Sequence, residues 1–268
     1  MAPHNIAEQA EINARVQAQF GRAAAAYRKS AVHRDPEALR KVVELAQPHP
    51  SDIALDVATG AGHVALPLAP HVGKVIAYDM TEDMLQETAR SARERRLDNL
   101  TTQKGIAEQL PFAEATFDII TVRYAPHHFA DLPRAVREMA RVAKRGARIV
   151  VVDSYAPADP LLDRQWNHME KLRDPSHVRN YRPDEWREMM TAAGLRITLE
   201  ELGHATLNGQ PMDFADWVRT ISAPASAAVE LGRLFRTASP AFVEAFRVET
   251  QGDKISFCVP QITLAARR

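Results

Sequence analysis

Residues 53–79, IALDVATGAGHVALPLAPHVGKVIAYD, decide the fold. A short apolar run, IALDVA, stops at a turn carrying Gly60 and Gly62. A helix-like stretch from His63 to Leu68 follows, and KVIAYDM (74–80) is a second apolar run. Strand, tight turn, helix and strand make the repeating unit of a parallel sheet whose faces are crossed by helices. In such an open sheet a ligand sits beyond the carboxyl ends of the strands, so the residues closing each strand carry most information. Gly60 and Gly62 let backbone approach a ligand where a side chain would obstruct it. Asp56 puts a carboxylate at the base of the loop, suited to a cationic amine. Asp79 closes the second strand about 20 residues further on, where an acidic side chain takes a ribose diol. A nicotinamide-dependent dehydrogenase shares these features, but its fingerprint needs a third small residue, and His63 stands in that place. A tight strand–helix turn without a ligand is the plainer reading of the glycines alone, and the two carboxylates argue against it.

The alternation continues downstream. TEDMLQETARSARERR (81–96) predicts a helix with Thr81 as N-cap, acidic residues in its first turn and arginines in its last. LTTQKGI (100–106), FDIITV (117–122) and ARIVVVD (147–153) are three more strands, with the amphipathic DLPRAVREMARVAK (131–144) between the last two. The predicted fold is α/β, with a mostly parallel, doubly wound sheet. Upstream, residues 5–33 have helical spacing (Ile6, Ile12, Val16, Phe20, Tyr27), and PEALRKVVELA opens a second helix at Pro36. Past Asp153 the pattern breaks. Residues 154–182 read as an excursion over the sheet, PDEWREMMTAAG (183–194) as a helix, LRITLEEL (195–202) as a strand, and KISFCVPQITLAAR (254–267) as one last strand. The expected organisation is a single domain over 1–268: a helical arm (1–50), a cofactor-binding half (51–153), and substrate-cap segments (154–182 and 212–250).

Composition narrows the partners. The chain has 268 residues, 46% hydrophobic and 25% charged, and its 34 Lys and Arg balance 34 Asp and Glu. That neutrality offers no global positive field for nucleic acid or an anionic membrane surface, so neither is expected as a partner. The arginines at 90, 93, 95 and 96 complement a helix dipole and read as a solvated face. One cysteine, Cys258, excludes an internal disulfide framework and a four-cysteine zinc site; within an apolar strand it reads as core. Glu8 and Glu11 fall where a signal peptide needs apolar residues, and the longest purely aliphatic run is Ile149 to Val152. A soluble, cytoplasmic protein is expected.

Four motifs agree in order and spacing with one family. ALDVATGAGHVA (54–65), VIAYDMTEDML (75–85), GIAEQLPFAEATFDIITVRYAPHHFAD (105–131) and RVAKRGARIVVVD (141–153) resemble class I S-adenosylmethionine-dependent methyltransferases, nearest in look to the ubiquinone/menaquinone-biosynthesis type and its small-molecule relatives. RDPSHVRNYRPDEW (173–186) resembles a segment of one branch of that group. The resemblance implies a seven-stranded Rossmann-like sheet with an antiparallel last strand, and S-adenosylmethionine as cofactor. It implies that Ala58, Thr59, Gly60 and Gly62 cradle the methionine part while Asp56 steers its amino group through water. Asp79 would bind the ribose, Met80 and Met84 would flank the adenine, and Ile106, Ala107 and Glu108 would line its other face. Arg123 and Tyr124 would lie beside the sulfonium, with Tyr27 closing over it. Ile106 departs from the family, where an acidic residue contacts the adenine amino group; a backbone contact or Glu108 is the expected substitute. The Pro-Gly-Gly turn of the family is here Arg145-Gly146-Ala147.

Methyl transfer is an in-line displacement, so the protein must align a nucleophile, exclude water and, where needed, take a proton. A neutral imidazole suits that last task. His127 and His128 follow the fourth strand; by analogy with relatives His128 is favoured as catalytic, against the alternative that both only fix the loop. Arg173, His177 and Arg179 lie where relatives place a substrate lid, either to recognise an anionic or hydroxylated substrate or to close an internal salt-bridged loop. Arg123 replaces the aspartate of magnesium-dependent catechol methyltransferases and no HExxH spacing occurs, so metal independence is expected. Phe214, Trp217, Ile221, Leu231, Leu234 and Phe235 read as local packing, with an apolar substrate pocket or a homodimer contact as their alternative roles. The expected activity is methylation of a small phenolic, quinone-like or secondary-metabolite acceptor. The competing classes are a cofactor-binding protein with a non-methylating biosynthetic reaction and a binding module without chemistry.

Overall fold

The computed structural model describes residues 6–28, 34–205, 210–221 and 223–268. The end of the expected first helix, 29–33, lies outside the described residues. The arm is α1 (Ile6–Tyr27) and α2 (Pro36–Ala46), the latter capped by Asp35, whose carboxylate accepts from the Glu37 N–H. The alternating half runs β1 (Ile53–Val57), α3 (Ala65–Leu68), β2 (Lys74–Asp79), α4 (Glu82–Glu94), β3 (Leu100–Lys104), β4 (Phe117–Arg123), α5 (Leu132–Val142) and β5 (Ala143–Ser154). Then come α6 (Pro160–Arg173), α7 (Pro183–Ala192), β6 (Arg196–Ala205), β7 (Met212–Asp213), α8 (Phe214–Thr220), α9 (Ala225–Arg236) and α10 (Pro240–Phe246). The chain ends with β8 (Glu249–Gln251), β9 (Lys254–Phe257) and β10 (Val259–Arg267).

Seven strands form one sheet in the order β3-β2-β1-β4-β5-β10-β6. β1 pairs in parallel with β2 and β4, whereas β10 runs antiparallel to both β5 and β6. This is the expected seven-stranded Rossmann-like sheet with its last strand reversed. The strands flanking β1 leave it in opposite directions along the sheet, which opens a crevice at the carboxyl ends of β1 and β4. Each face has its own core: Val136 and Met139 of α5 with Trp186 and Met190 of α7 cover one, and Val42, Leu66 and Leu68 cover the other. α1 lies across the crevice, setting Val16 against Ala130 and Met80, and Ala24 against Ala61 and Met84.

One expectation, the single last strand, needs correction, and two gain detail. The excursion 154–182 contains the fourteen-residue α6, because Asp159 accepts from the N–H groups of Leu161 and Leu162, Pro160 presets the first turn, and Leu162, Trp166 and Met169 share one face. Residues 254–267 are two strands in two sheets: β9 pairs with β7 and β8, and the chain turns at Cys258, whose N–H donates to the Phe246 carbonyl. Thr81 occupies the N-cap of α4, but its hydroxyl makes no cap hydrogen bond. α6, α8–α10 and β7–β9 enclose a further core around Trp166, Trp217, Phe235, Phe242, Phe246 and Phe257. We refer to these elements as the cap.

Candidate active site

The glycine loop is shaped by backbone geometry. Ala58, Gly60 and Gly62 all have positive φ (52°, 54° and 81°), a region favourable to glycine and strained for alanine. The turn is closed by the Thr59 N–H donating to the Tyr78 carbonyl (3.0 Å) and the Gly62 N–H donating to Thr59 (3.0 Å). Asp56 lies beneath it. Its carboxylate accepts from the Thr59 hydroxyl (2.6 Å), the Thr121 hydroxyl (2.7 Å) and the Ala65 N–H (3.1 Å). Burial pushes the Asp56 carboxyl up to about 6, although these hydrogen bonds pull the other way. Three protein donors therefore hold the group expected to face an amine, which also lines the cavity at this loop. Asp79 accepts from the N–H groups of Gly60 (2.8 Å) and Thr81 (2.8 Å), which orient its carboxylate at the end of β2. Its pKa is raised, chiefly by burial.

A cavity with about 930 Å³ of empty space opens at this loop. Asp56, Ala58, Thr59, Gly60 and Asp79 line it from the first two strand ends, with Met80, Met84, Ile106, Ala107 and Glu108, and with Tyr27, Arg123, Tyr124 and His128. Gly62 is not among the lining residues. A Cβ there would lie 2.9 Å from Thr88 Cγ2 and 3.1 Å from Leu66 Cδ1, so its bare backbone serves helix packing. Glu108 is buried with a raised pKa, burial being the main cause, and accepts from the Asp131 N–H (3.3 Å). Asn13, Val16, Phe20, His63 and Phe129 also line the cavity and were not predicted. The α1 positions lay in a helix whose packing partner cannot be read from its own periodicity.

A second cavity, with about 670 Å³ of empty space, shares Tyr27 and Tyr124 with the first. His127, Ser154, Glu170, Arg173 and Trp217 line it. The two predicted histidines line different cavities, although their ring centroids are 4.2 Å apart. His127 Nδ1 meets Asp153 Oδ1 at 2.6 Å, and its backbone N–H donates to Asp153 Oδ2 at 2.9 Å. Burial alone would lower the His127 pKa, but the Asp153 carboxylate outweighs it and the net shift is upward. His128 faces the first cavity; its Nδ1 lies 3.2 Å from the Ser176 carbonyl, and burial beside His127 lowers its pKa. Asp153 was missed as a site residue, though a carboxylate ending a parallel strand is the signal that singled out Asp79.

The three predicted lid residues divide. Arg173 lines the second cavity, pairing with Glu170 (2.9 Å) and lying over the Trp217 ring at 4.5 Å. His177 and Arg179 line neither cavity. His177 is buried against Asn167 Oδ1 (3.2 Å), and Arg179 pairs with Asp163 (2.9 Å) and Glu185 (3.0 Å), closing α6 onto α7. Among the described residues no cluster of three His, Cys, Asp or Glu is arranged to hold a metal, and no helix is long and apolar enough to cross a membrane.

The Methyltransferase domain family matches residues 55–151, the part containing both carboxylates and the glycine loop. The chain is 36% identical over 247 residues to the uncharacterized methyltransferase YcgJ of Bacillus subtilis, covering 91% of this chain and 96% of that one. The crystal structure of YcgJ superposes with a TM-score of 0.80 at 35% identity, over 87% of this chain and 98% of that one. A demethylmenaquinone methyltransferase of Symbiobacterium thermophilum is 40% identical over 119 residues, 42% of this chain and 47% of the relative. The chain belongs to the class I S-adenosylmethionine-dependent methyltransferase family and resembles its ubiquinone/menaquinone-biosynthesis type.

Proposed function

We propose that the first cavity binds S-adenosylmethionine and that the protein methylates a small organic acceptor of phenolic or quinone-like character. The observation that carries this reading is the pairing of Asp79 with the Gly60 N–H in the wall of the cavity. The carboxylate is aligned by two backbone donors and retains lone pairs for a ribose diol. A Cβ built on Gly60 meets no protein atom within 4 Å, so the backbone there faces open space. Bound there, the cofactor supplies an electrophilic methyl group on a sulfonium.

The chain's own residues orient that group and exclude water. Met80, Met84, Ile106 and Ala107 offer apolar walls to a purine, and Glu108 is the carboxylate that replaces the missing acidic side chain at Ile106. Tyr27 lies over the crevice from α1, with the His63 imidazole donating to its carbonyl (3.1 Å). Asp56 contributes through the loop it braces.

Isothermal titration of S-adenosylmethionine and S-adenosylhomocysteine tests the reading. Wild type is expected to bind both, and Asp79→Asn to lose at least about tenfold in affinity, roughly 1.4 kcal/mol. Absence of binding to the wild type would end it. Incubation with phenolic and quinol panels, read by mass spectrometry, then separates methyl transfer from a non-methylating reaction.

A further inference from the structure

We propose that the second cavity holds the methyl acceptor, an uncharged aromatic compound with an ionisable hydroxyl, and that His127, positioned by Asp153, takes the hydroxyl proton. This deepens the reading of the first cavity and rests on it. The two cavities share Tyr27 and Tyr124 as lining residues, so a ligand in the second is the neighbour of one in the first. Its walls include Trp217, Met212 and Val259, suited to a flat apolar body. Arg173, the cation in the wall, is neutralised by Glu170 at 2.9 Å and stacked on Trp217. That arrangement leaves no net positive charge for a carboxylate or phosphate.

The reactive end is His127. With Nδ1 held by Asp153, Nε2 has no hydrogen-bond partner among the described residues, while the ring lines the cavity. A carboxylate on one imidazole nitrogen orients the other and strengthens it as a base. His128 is less well placed: its Nδ1 is taken up by the Ser176 carbonyl, its Nε2 is turned to the Asp174 carboxylate at 3.9 Å, beyond hydrogen-bond distance, and its ring packs edge-on to Phe20 at 5.0 Å. The favoured base therefore moves from His128 to His127. In the transfer, the acceptor oxygen forms its bond to the methyl carbon as the carbon–sulfur bond breaks, with that electron pair leaving on sulfur. The hydroxyl proton passes to His127 Nε2, then to solvent.

The groups acting on His127 come from several elements. Asp153 is on β5, Glu170 and Arg173 are on α6, Asp174 and His177 follow it, His128 is next in sequence, and Tyr27 reaches from α1. A base works unprotonated, so kcat/KM is expected to rise with pH through the elevated His127 pKa, placing the acid limb above about 6.5.

The probe is 4-nitrophenol, whose phenolate absorbs visible light and whose phenol does not, added to enzyme saturated with S-adenosylhomocysteine. Wild type is expected to bind the probe and convert it to phenolate below its solution pKa. His127→Gln should bind it within about threefold yet leave it protonated. Asp153→Asn should lower the His127 pKa followed by NMR and shift the acid limb downward. In both variants turnover of a phenolic acceptor should fall about 100-fold, with S-adenosylhomocysteine affinity unchanged. Equal ionisation of the probe in His127→Gln, displacement of the probe by S-adenosylhomocysteine, or failure of wild type to bind it would overturn the proposal. Failure of S-adenosylhomocysteine itself to bind would instead overturn the first-cavity reading and this one with it.

Discussion

Gly60 and Gly62 are two residues apart, both with positive φ, and their substitution should separate binding from stability. At Gly60 an added methyl meets only open cavity. Gly60→Ala is expected to lose about 1–2 kcal/mol of stability from the left-handed backbone alone, and at least about tenfold in S-adenosylmethionine affinity. At Gly62 the methyl would collide with Thr88 and Leu66, so Gly62→Ala should lose about 2–4 kcal/mol. Chemical denaturation beside titration calorimetry checks both. Residue types showed that this loop was special; which glycine faced the cavity depended on the path of α4, which supplies Thr88. His63 gives a second prediction. Burial lowers its pKa to about 4, although its hydrogen bond to Tyr27 opposes the shift. Between about pH 6.5 and 4 the unfolded chain therefore binds a proton here that the folded chain does not, and folding stability falls as pH falls. His63→Gln keeps a donor for the Tyr27 carbonyl and removes the titration. The stability lost between pH 6.5 and 5 should be smaller than in wild type by about 1.5 kcal/mol, measured by urea unfolding at each pH.

Elements were legible where hydrophobic period and strand-end chemistry agreed. β1, β2, β4 and α5 lie close to their predicted ranges because each strand is buried on both faces and reads as an unbroken apolar run. α6 was illegible because its apolar face packs on the other cap elements, not the sheet, and its charged residues pair locally, as Arg173 does with Glu170. The split of β9 from β10 was hidden for the reason that both are apolar and only Cys258 separates them. The turn after β3 carries a sharper consequence. The Tyr78 hydroxyl lies where a Gly105 side chain would be: an added Cβ would be 1.9 Å from it. That hydroxyl donates to the Ile106 carbonyl at 3.2 Å, holding the segment that bears Ile106, Ala107 and Glu108. Gly105→Ala should displace Tyr78 next to Asp79, destabilise by about 1–3 kcal/mol and weaken cofactor binding. Tyr78→Phe removes the hydroxyl, so the double variant should recover part of the stability lost. Thermal unfolding of the four proteins closes the cycle.

At the scale of the whole molecule the two cavities draw on different parts of the chain. Among the described residues none lining the first lies beyond Phe129, whereas Arg173, Met212, Trp217 and Thr220 of the second come from the cap. The cap has its own buried aromatic core, in which Phe242 is fully buried and stacks on Phe246 with ring centroids 4.2 Å apart. Truncating such a side chain usually destabilises by about 3–5 kcal/mol. If the cap opens as a unit of its own, Phe242→Ala spends that loss there and leaves the sheet closed. S-adenosylhomocysteine should then bind as in wild type, while 4-nitrophenol binding falls at least about tenfold. Hydrogen exchange should quicken in α9 and α10 and stay slow in β1 and β4. Parallel loss of both ligands, with exchange rising throughout the sheet, would mean that cap and sheet unfold together. In that case acceptor specificity could not be altered in the cap without loosening the cofactor crevice.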